Sequence, residues 1–533
     1  MRTAAAEQEA SPSTTDSAPY KRAASRIYFA AATCALAVYL ALAVGTALTS
    51  RPITDEGLFA DPAYTLATRG YMGSPVLREN PRLLRISAHT YWIFPLDPVM
   101  QAGWYKVFGV GLFSMRAMSI CFGLLGLGAL FFLVERLARD ALIAALATTL
   151  AALDYLYIYG SASGRMDIIC ASLGYAGLAA YMLLRERNLG IAVLVSQSLV
   201  VASGMTHPNG FLYFMGLVFL TLYFDRRRIT WRQVLLAAAP YVVGASLWGA
   251  YISKDPQAFL AQIRSNAHDG GRLQDLHNPL LGFAREVTVR YATAYGFAGH
   301  SAGHEGPIYL KSLALLAYLI GIFGVLWVPS LRKRTETRVL VSLIAIYFVF
   351  LAVSDGQKAY YYLVHFIPMY AALLALFLAW LVRERKVKVI MVSVPLAAII
   401  AVQLGGLGYR IHLNSYKNIY QPAVHYLQQN ARPSQLINAN VAFVFGLNFP
   451  NNLVDDSHLR QPADFFVVDN EVAERLRNAR TGNPATYQHV TESLRTCYEK
   501  VYDFNSIRIY SRKSSDCMSE EKIGALAAST DDH

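Results

Sequence analysis

Apolar runs about twenty residues long recur along most of this chain, and each is long enough to cross ~30 Å of hydrocarbon as a helix. The first extends from Ile27 to Leu48. Others lie near residues 113–134, 141–160, 166–184, 190–207, 209–224, 234–252, 308–328, 338–354, 362–382 and 388–408. Only 16% of the 533 residues are charged, against about 25% in a soluble protein. The pattern predicts an α-helical polytopic membrane protein of about eleven transmembrane helices. The first run exceeds the apolar core of a signal peptide, about 7–15 residues, so it reads as a retained span. The gaps at 160–166 and 207–209 are short, which implies helical hairpins with tight turns.

The net charge is +12, but its placement argues against nucleic acid. No basic patch is interleaved with stacking aromatics as single-strand binding needs. The cations cluster in alternate connections: Arg136 and Arg139; Arg185 and Arg187; Arg226 to Arg228 with Arg232; Arg332 to Arg334 with Arg338; Arg383, Arg385, Lys386 and Lys388. The short connections of the opposite set hold only Arg165 and Lys358. By the positive-inside rule the first set is cytoplasmic, so the N-terminus is expected inside and the C-terminus outside.

Residues 1–25 are rich in Ala, Ser and Thr and are expected to be a disordered cytoplasmic segment. Residues 26–408 make the membrane domain, with larger outer loops at 49–112 and 253–307. In the second loop Leu280, Phe283, Val287, Tyr291 and Tyr295 fall near helical spacing, which suits a helix in the interface or one packed on the bundle. Residues 409–533 read as a small α/β extracytoplasmic C-terminal domain with a disordered end. Its expected helices are 421–429 and 471–480, and its strands 436–445, 465–468 and 507–510. Cys34, Cys121 and Cys170 lie in apolar runs and read as buried hydrophobes. Cys497 and Cys517 are a candidate disulfide in an oxidising compartment. His300 and His304 have a zinc-compatible spacing but no third ligand.

Ionisable residues at membrane depth are expensive and often functional. Here they gather where spans reach the outer side: Thr54-Asp55-Glu56, then Asp61; Gly164-Arg165-Met166-Asp167; Thr206-His207-Pro208-Asn209; Asp355-Gly356-Gln357-Lys358, leading into Tyr360, Tyr361 and Tyr362. Each has a bland reading. Thr54 to Glu56 suit a helix start. Arg165 and Asp167 suit a simple ion pair, His207-Pro208 a helix break, and the tyrosines an interfacial belt. Coincidence at one end of the bundle favours a shared cavity.

In order, these stretches resemble the GT-C glycosyltransferases, in particular the protein O-mannosyltransferases and the lipid A aminoarabinose transferases (ArnT-like). Thr54-Asp55-Glu56 through Asp61 is similar to their first-loop motif. Pro95 to Gly109, followed by Arg116, is similar to the segment leading into their second span. Gly164 to Asp167, Thr206 to Gly210, and Gln357 to Pro368 resemble later motifs. The resemblance covers roughly residues 27–410. It departs at a Lys-Pro-Pro-Leu run, where Asp97-Pro98-Val99 stands instead, with His89, Arg85 or Arg82 as substitute cations.

The resemblance implies a membrane enzyme that moves a sugar from a polyprenyl-phosphate donor to an acceptor hydroxyl on the outer face, with inversion. The acceptor is a lipid, glycan or protein, and the location a bacterial inner membrane with a periplasmic active site. Asp55 is the candidate base and Glu56 its orienting partner. Arg165, Asp167, His89, His207, Lys358 and Tyr361 are candidate substrate-binding residues, with Arg165 and Lys358 on the phosphate. No cofactor is certain; a divalent metal stays open, with Asp55 and Asp167 as its candidate ligands. A transporter or flippase of lipid-linked glycans is the alternative. It would place charges near the midplane on broken helices, whereas here they lie at one end.

Overall fold

The structure is a computed structural model that describes residues 17–297, 309–456 and 458–513. Its core is a bundle of apolar helices. These are α1 (Ser17–Thr49), α4 (Leu112–Ala138), α5 (Ala141–Ala152), α6 (Tyr155–Ala162), α7 (Met166–Leu184), α8 (Leu189–Thr206), α9 (Gly210–Asp225) and α10 (Trp231–Ile252). The bundle continues with α14 (Ser312–Trp327), α16 (Thr335–Ser354), α17 (Ile367–Arg383) and α18 (Val389–Leu413). Two helices of the first loop, α2 (Thr54–Arg69) and α3 (Leu96–Phe108), cap one end. So do α11 (Pro256–Arg264), α12 (Pro279–Arg285) and the single turn α13 (Ala292–Ala294); the turn α15 (Pro329–Arg332) lies between α14 and α16.

Among the described residues, eight helices are long and apolar enough to cross a membrane. The bent pair α5 and α6, angled by 63°, makes a ninth if taken as one span. Shorter apolar helices, α9 and α17 with 16 and 17 residues, occupy two further expected positions. The bend has a local cause. Asp154 follows α5 and starts α6 as its N-cap, accepting from Leu156 N at 2.8 Å and Tyr157 N at 3.0 Å. A side-chain acceptor satisfies donors that a continuous helix would bond internally.

Burial sorts the helices. α17 is apolar and enclosed on most sides by its neighbours. α10 and α18 bury only Gly244 and Leu407 respectively, so they sit at the periphery, where lipid would cover their Val, Leu and Ile side chains. At the end holding Arg185, Asp225 ties Arg185 (2.7 Å) to Arg228 (2.8 Å). The same end holds the Asp140–Arg383 and Arg334–Glu384 pairs. The candidate site lies at the other end.

Beyond α18, helix α19 (Gln421–Asn430) leads into a five-stranded sheet of order β2-β1-β3-β5-β4. Its strands are β1 (Ile437–Asn438), β2 (Leu453–Val454), β3 (Phe465–Val468), β4 (Tyr498–Phe504) and β5 (Ile507–Arg512). β1 pairs parallel with β2 and β3, while β5 runs antiparallel to β3 and β4. Helices α20 (Asn470–Gly482) and α21 (Pro484–Thr496) separate β3 from β4. The expected strand over 436–445 forms only at its start, and Val441–Val444 instead make a 3-10 turn. Asn440 caps that turn by accepting from Ala442 N, and the turn packs against α2. Gly57 permits this approach, because a Cβ there would lie 2.6 Å from the Val441 carbonyl. The expected disulfide falls on Cys517, and the candidate zinc histidines on His300 and His304; these three lie outside the described residues.

Candidate active site

Adjacent carboxylates at the start of α2 have different surroundings. Glu56 is fully buried. It forms a two-point pair with Arg116 of α4, at 2.6 Å from Nε and 2.7 Å from Nη2. It also accepts from Gly164 N at 2.8 Å and Ile53 N at 3.0 Å. Arg116 in turn donates to the carbonyls of Ala47, Ser50 and Arg51 at 2.6–3.1 Å. This knot joins the end of α1, the start of α2, the start of α4 and the turn before α7. A charged pair this enclosed is stable only because each polar atom has a partner. Its consequence is a fixed position for the residue before it.

That residue, Asp55, keeps about a third of its side chain exposed (34%). It pairs with Nη1 of Arg165, whose Nε donates to Asp167 Oδ2 at 2.7 Å. The Arg165 guanidinium lies 3.5 Å from the centroid of the Tyr361 ring, a cation–π contact. Asp167 Oδ1 lies 3.8 Å from His207 Nε2. His207 Nδ1 accepts from Asn209 N at 3.1 Å, so its other nitrogen carries the hydrogen and faces Asp167 and the Tyr362 hydroxyl at 3.3 Å. Four of the expected residues, Asp55, Arg165, Asp167 and His207, thus form one chain of polar contacts, with Tyr361 stacked on its arginine.

Asp55 sits between two cavities. The larger, about 860 Å³, lies between the first loop and the tail; its walls include Arg82, Trp92, Asp455, His458, Glu471 and Arg475. The smaller, about 200 Å³, is a neck bounded by Tyr159, Ser163, Arg165, Tyr360, Tyr361 and Glu471. Thr54, Asp55 and Glu471 line both. Glu471 comes from α20, accepts from the Thr54 hydroxyl, and lies 3.3 Å from Asn440 Nδ2. Burial, reinforced by Asp469, raises its carboxyl above the usual range. Nothing in the sequence signalled Glu471, because its link to Thr54 spans more than four hundred residues and exists only once the tail docks.

Asp97, noted in the sequence only as a departure from a lysine motif, is buried on α3. Burial first, and the nearby Asp167 charge second, push its carboxyl up to about 7. Its Oδ2 has no hydrogen-bond partner among the described residues. A carboxyl in this state can hold or release a proton near neutral pH.

The other expected residues lie elsewhere. His89 faces a separate, apolar cavity of about 740 Å³ bounded by α8 and α10, with its ring 5.9 Å from Tyr91 and 6.1 Å from Tyr251. Of the substitute cations, Arg85 pairs with Asp255 at 2.9 Å, and only Arg82 lines the cavity that holds Asp55. Lys358 is enclosed. Its Nζ lies 2.9 Å from Asp275 and 3.5 Å from Glu286, and donates to Ala352 O at 2.6 Å. Protein carboxylates thus already surround the cation that the resemblance assigns to the phosphate.

Asp55 and Asp167 do not converge on a common point that a divalent ion could take. The Arg165 guanidinium stands between them, and no cluster of three or more ligating side chains occurs among the described residues. The arrangement does not fit the metal site considered from sequence, and no step is derived through one.

No sequence-family model matches the chain, and no curated protein matches it. Solved structures do. ArnT from Cupriavidus metallidurans bound to undecaprenyl phosphate matches with a TM-score of 0.56 at 15% identity, covering 91% of this chain and 98% of that one. The Archaeoglobus fulgidus oligosaccharyltransferase in its apo form gives 0.54 at 11% identity, covering 92% and 75%. The archaeal oligosaccharyltransferase AglB from Archaeoglobus fulgidus, in complex with an inhibitory peptide and a dolichol-phosphate, gives 0.51 at 13% identity, covering 91% and 75%. The chain shares its overall fold with these structures.

Proposed function

We propose that this protein transfers a glycosyl group from a polyprenyl-phosphate donor to an acceptor hydroxyl at the non-cytoplasmic face of a membrane. The observation that carries the reading is the half-open Asp55–Arg165–Asp167 chain, set at a neck between a membrane bundle and a polar cavity. Support comes from the shared fold with ArnT and AglB, whose structures hold undecaprenyl phosphate and dolichol-phosphate. The cytoplasmic assignment of the arginine-rich end follows from the positive-inside rule. A transporter has no comparable support.

In this reading Asp55 takes the proton of the acceptor hydroxyl as the acceptor oxygen bonds to the anomeric carbon. The bond from that carbon to the phosphate oxygen breaks, and its electron pair leaves on the lipid phosphate. A single displacement inverts the anomeric centre, by analogy with inverting glycosidases. Glu56 acts through Arg116 and Gly164 to fix the helix start, so it is a positioning residue. Arg165 orients Asp55 and adds positive potential where negative charge develops. Asp167 and His207 hold the arginine in place. The large polar cavity is the natural seat for the acceptor, since Asp55 lines its wall.

The test is Asp55→Asn in cells and in purified full-length protein. Cell-envelope lipids and glycans read by mass spectrometry should lose the same sugar in that variant as in cells lacking the protein. Transfer should fall about 10²–10⁴-fold, the usual worth of a positioned base, with unfolding temperature nearly unchanged. Unaltered transfer by Asp55→Asn would remove the base and with it this reading.

A further inference from the structure

The arginine-rich end of the bundle, cytoplasmic by the positive-inside rule, carries an open groove of about 880 Å³ between α14, α15 and α17. Its floor is aromatic. Gly324 lets α17 come close, because a Cβ there would lie 2.5 Å from Cε2 of Phe377. Phe377 stacks on Trp380, with ring centroids 5.8 Å apart and planes 20° from parallel. Ile320, Phe323 and Trp327 of α14, all exposed, add their side chains to the wall.

Two cations reach this groove from different elements. Val328 leaves α14 in an extended conformation, and Pro329 starts α15, whose last residue is Arg332. After α17 the chain turns back, with Arg385 N donating to Trp380 O at 3.2 Å. The Arg385 guanidinium then lies 5.0 Å from the centroid of the Trp380 ring, a cation–π contact. Both arginines belong to the stretch 309–456, which is described without a gap. Among the described residues no acidic side chain lines the groove, and the neighbouring acid, Glu384, is taken by Arg334. At the same end Asp225 takes Arg185 and Arg228, and Asp140 takes Arg383.

Charge complementarity and depth select the occupant. Two guanidinium groups at the mouth of an apolar groove match an anion that carries a tail, and each binds phosphate oxygens as a fork. From Ile320 to Trp327 helix α14 advances roughly 10 Å at 1.5 Å per residue. That is about two-thirds of the ~15 Å that one leaflet contributes to the hydrocarbon core. An acyl chain lying there puts its phosphodiester level with Arg332 and Arg385, beside Trp327, a residue type that favours the head-group level. The cytoplasmic leaflet is the one that carries a negative surface potential from anionic lipids.

We propose that this groove binds an anionic phospholipid of the cytoplasmic leaflet, with the phosphodiester on Arg332 and Arg385 and an acyl chain against Phe323, Gly324 and Phe377. The site lies at the opposite end of the bundle from Asp55 and does not depend on the glycosyltransferase reading.

The experiment titrates phosphatidylglycerol and phosphatidylcholine with the same acyl chains into delipidated full-length protein in detergent, with bound lipid counted by native mass spectrometry. Phosphatidylglycerol should bind more tightly. Arg332→Gln and Arg385→Gln should each weaken it about fivefold, and together about thirtyfold, while phosphatidylcholine binds as before. Both side chains are exposed, so neither change threatens the fold. Arg227→Gln, at the same end but outside the groove, should bind as the parent does. Equal affinity of the parent for the two lipids, or unchanged phosphatidylglycerol binding by the double variant, overturns the site. A comparable loss in Arg227→Gln overturns it in favour of diffuse attraction by the whole basic end. Displacement of phosphatidylglycerol by equimolar inorganic phosphate overturns the lipid assignment in favour of a free-anion site. Each of these outcomes leaves the Asp55→Asn test standing.

Discussion

Two charge clusters occupy the same end of the bundle and differ in one respect. Around Lys358, Arg290 and Arg285, the carboxylates Asp275, Glu286 and Asp355 close into a network, with Lys358, Asp275, Glu286 and Arg290 at most 2% exposed. Around Arg165, the carboxylates Asp55 and Asp167 form a shorter chain whose last member opens to two cavities. The first has its charges balanced internally and ties the segment between α10 and α14 to the start of the 360–365 turn. The second has one carboxylate with an accessible face. A cation placed against the topology rule therefore says that an anion is near, not whose anion it is.

The comparison breaks most readily at Lys358. Lys358→Met leaves Asp275 with Arg285 and Glu286 with Arg290 but gives the buried network one uncompensated negative charge, and should cost about 3–5 kcal/mol of stability, seen as a lower unfolding temperature and poor yield. If that variant folds normally and loses only donor affinity, Lys358 belongs with the substrate after all and the two clusters exchange roles.

Asp61 sharpens the contrast, because it is enclosed like Asp275 yet has hydrogen bonds only: from the Ser74 hydroxyl at 2.6 Å and Val76 N at 3.3 Å. Burial raises its carboxyl from 3.8 to about 6. The folded state then holds the proton more tightly than the unfolded chain. Its stability is full below pH about 4 and is lost as pH rises through about 6, by about 3 kcal/mol. Comparing the parent with Asp61→Asn between pH 4 and 7 should show that difference in unfolding free energy. Parallel curves would mean that Asp61 ionises freely.

The smallest effect is expected at Arg165→Lys. It keeps the charge but gives up the fork linking Asp55 to Asp167 and the stacking on Tyr361. Transfer should fall about tenfold, through kcat rather than donor KM, with little change in stability. An effect on stability comparable to that of Lys358→Met would make this cluster structural too.

Much of the site was legible because membrane residence makes ionisable residues conspicuous. Asp55, Arg165, Asp167 and His207 stand out at span ends, and they do meet. Glu56 was legible as a helix-start acid, but its pairing with Arg116 across sixty residues was not. Asp455, Glu471 and Arg475 sit in a polar tail where charge is ordinary, so nothing in their spacing marks them as walls of a cavity.

The sequence by itself determined the helical membrane class, the approximate positions of the spans and the end at which the unusual charges collect. Those follow from the length and polarity of local segments, which hydrocarbon constrains residue by residue. The tertiary structure decided which carboxylate faces a cavity, which cations are neutralised within the protein, and where the tail's side chains enter the site. These depend on contacts between segments hundreds of residues apart, and no local pattern encodes whether an ion pair closes on itself or is left open.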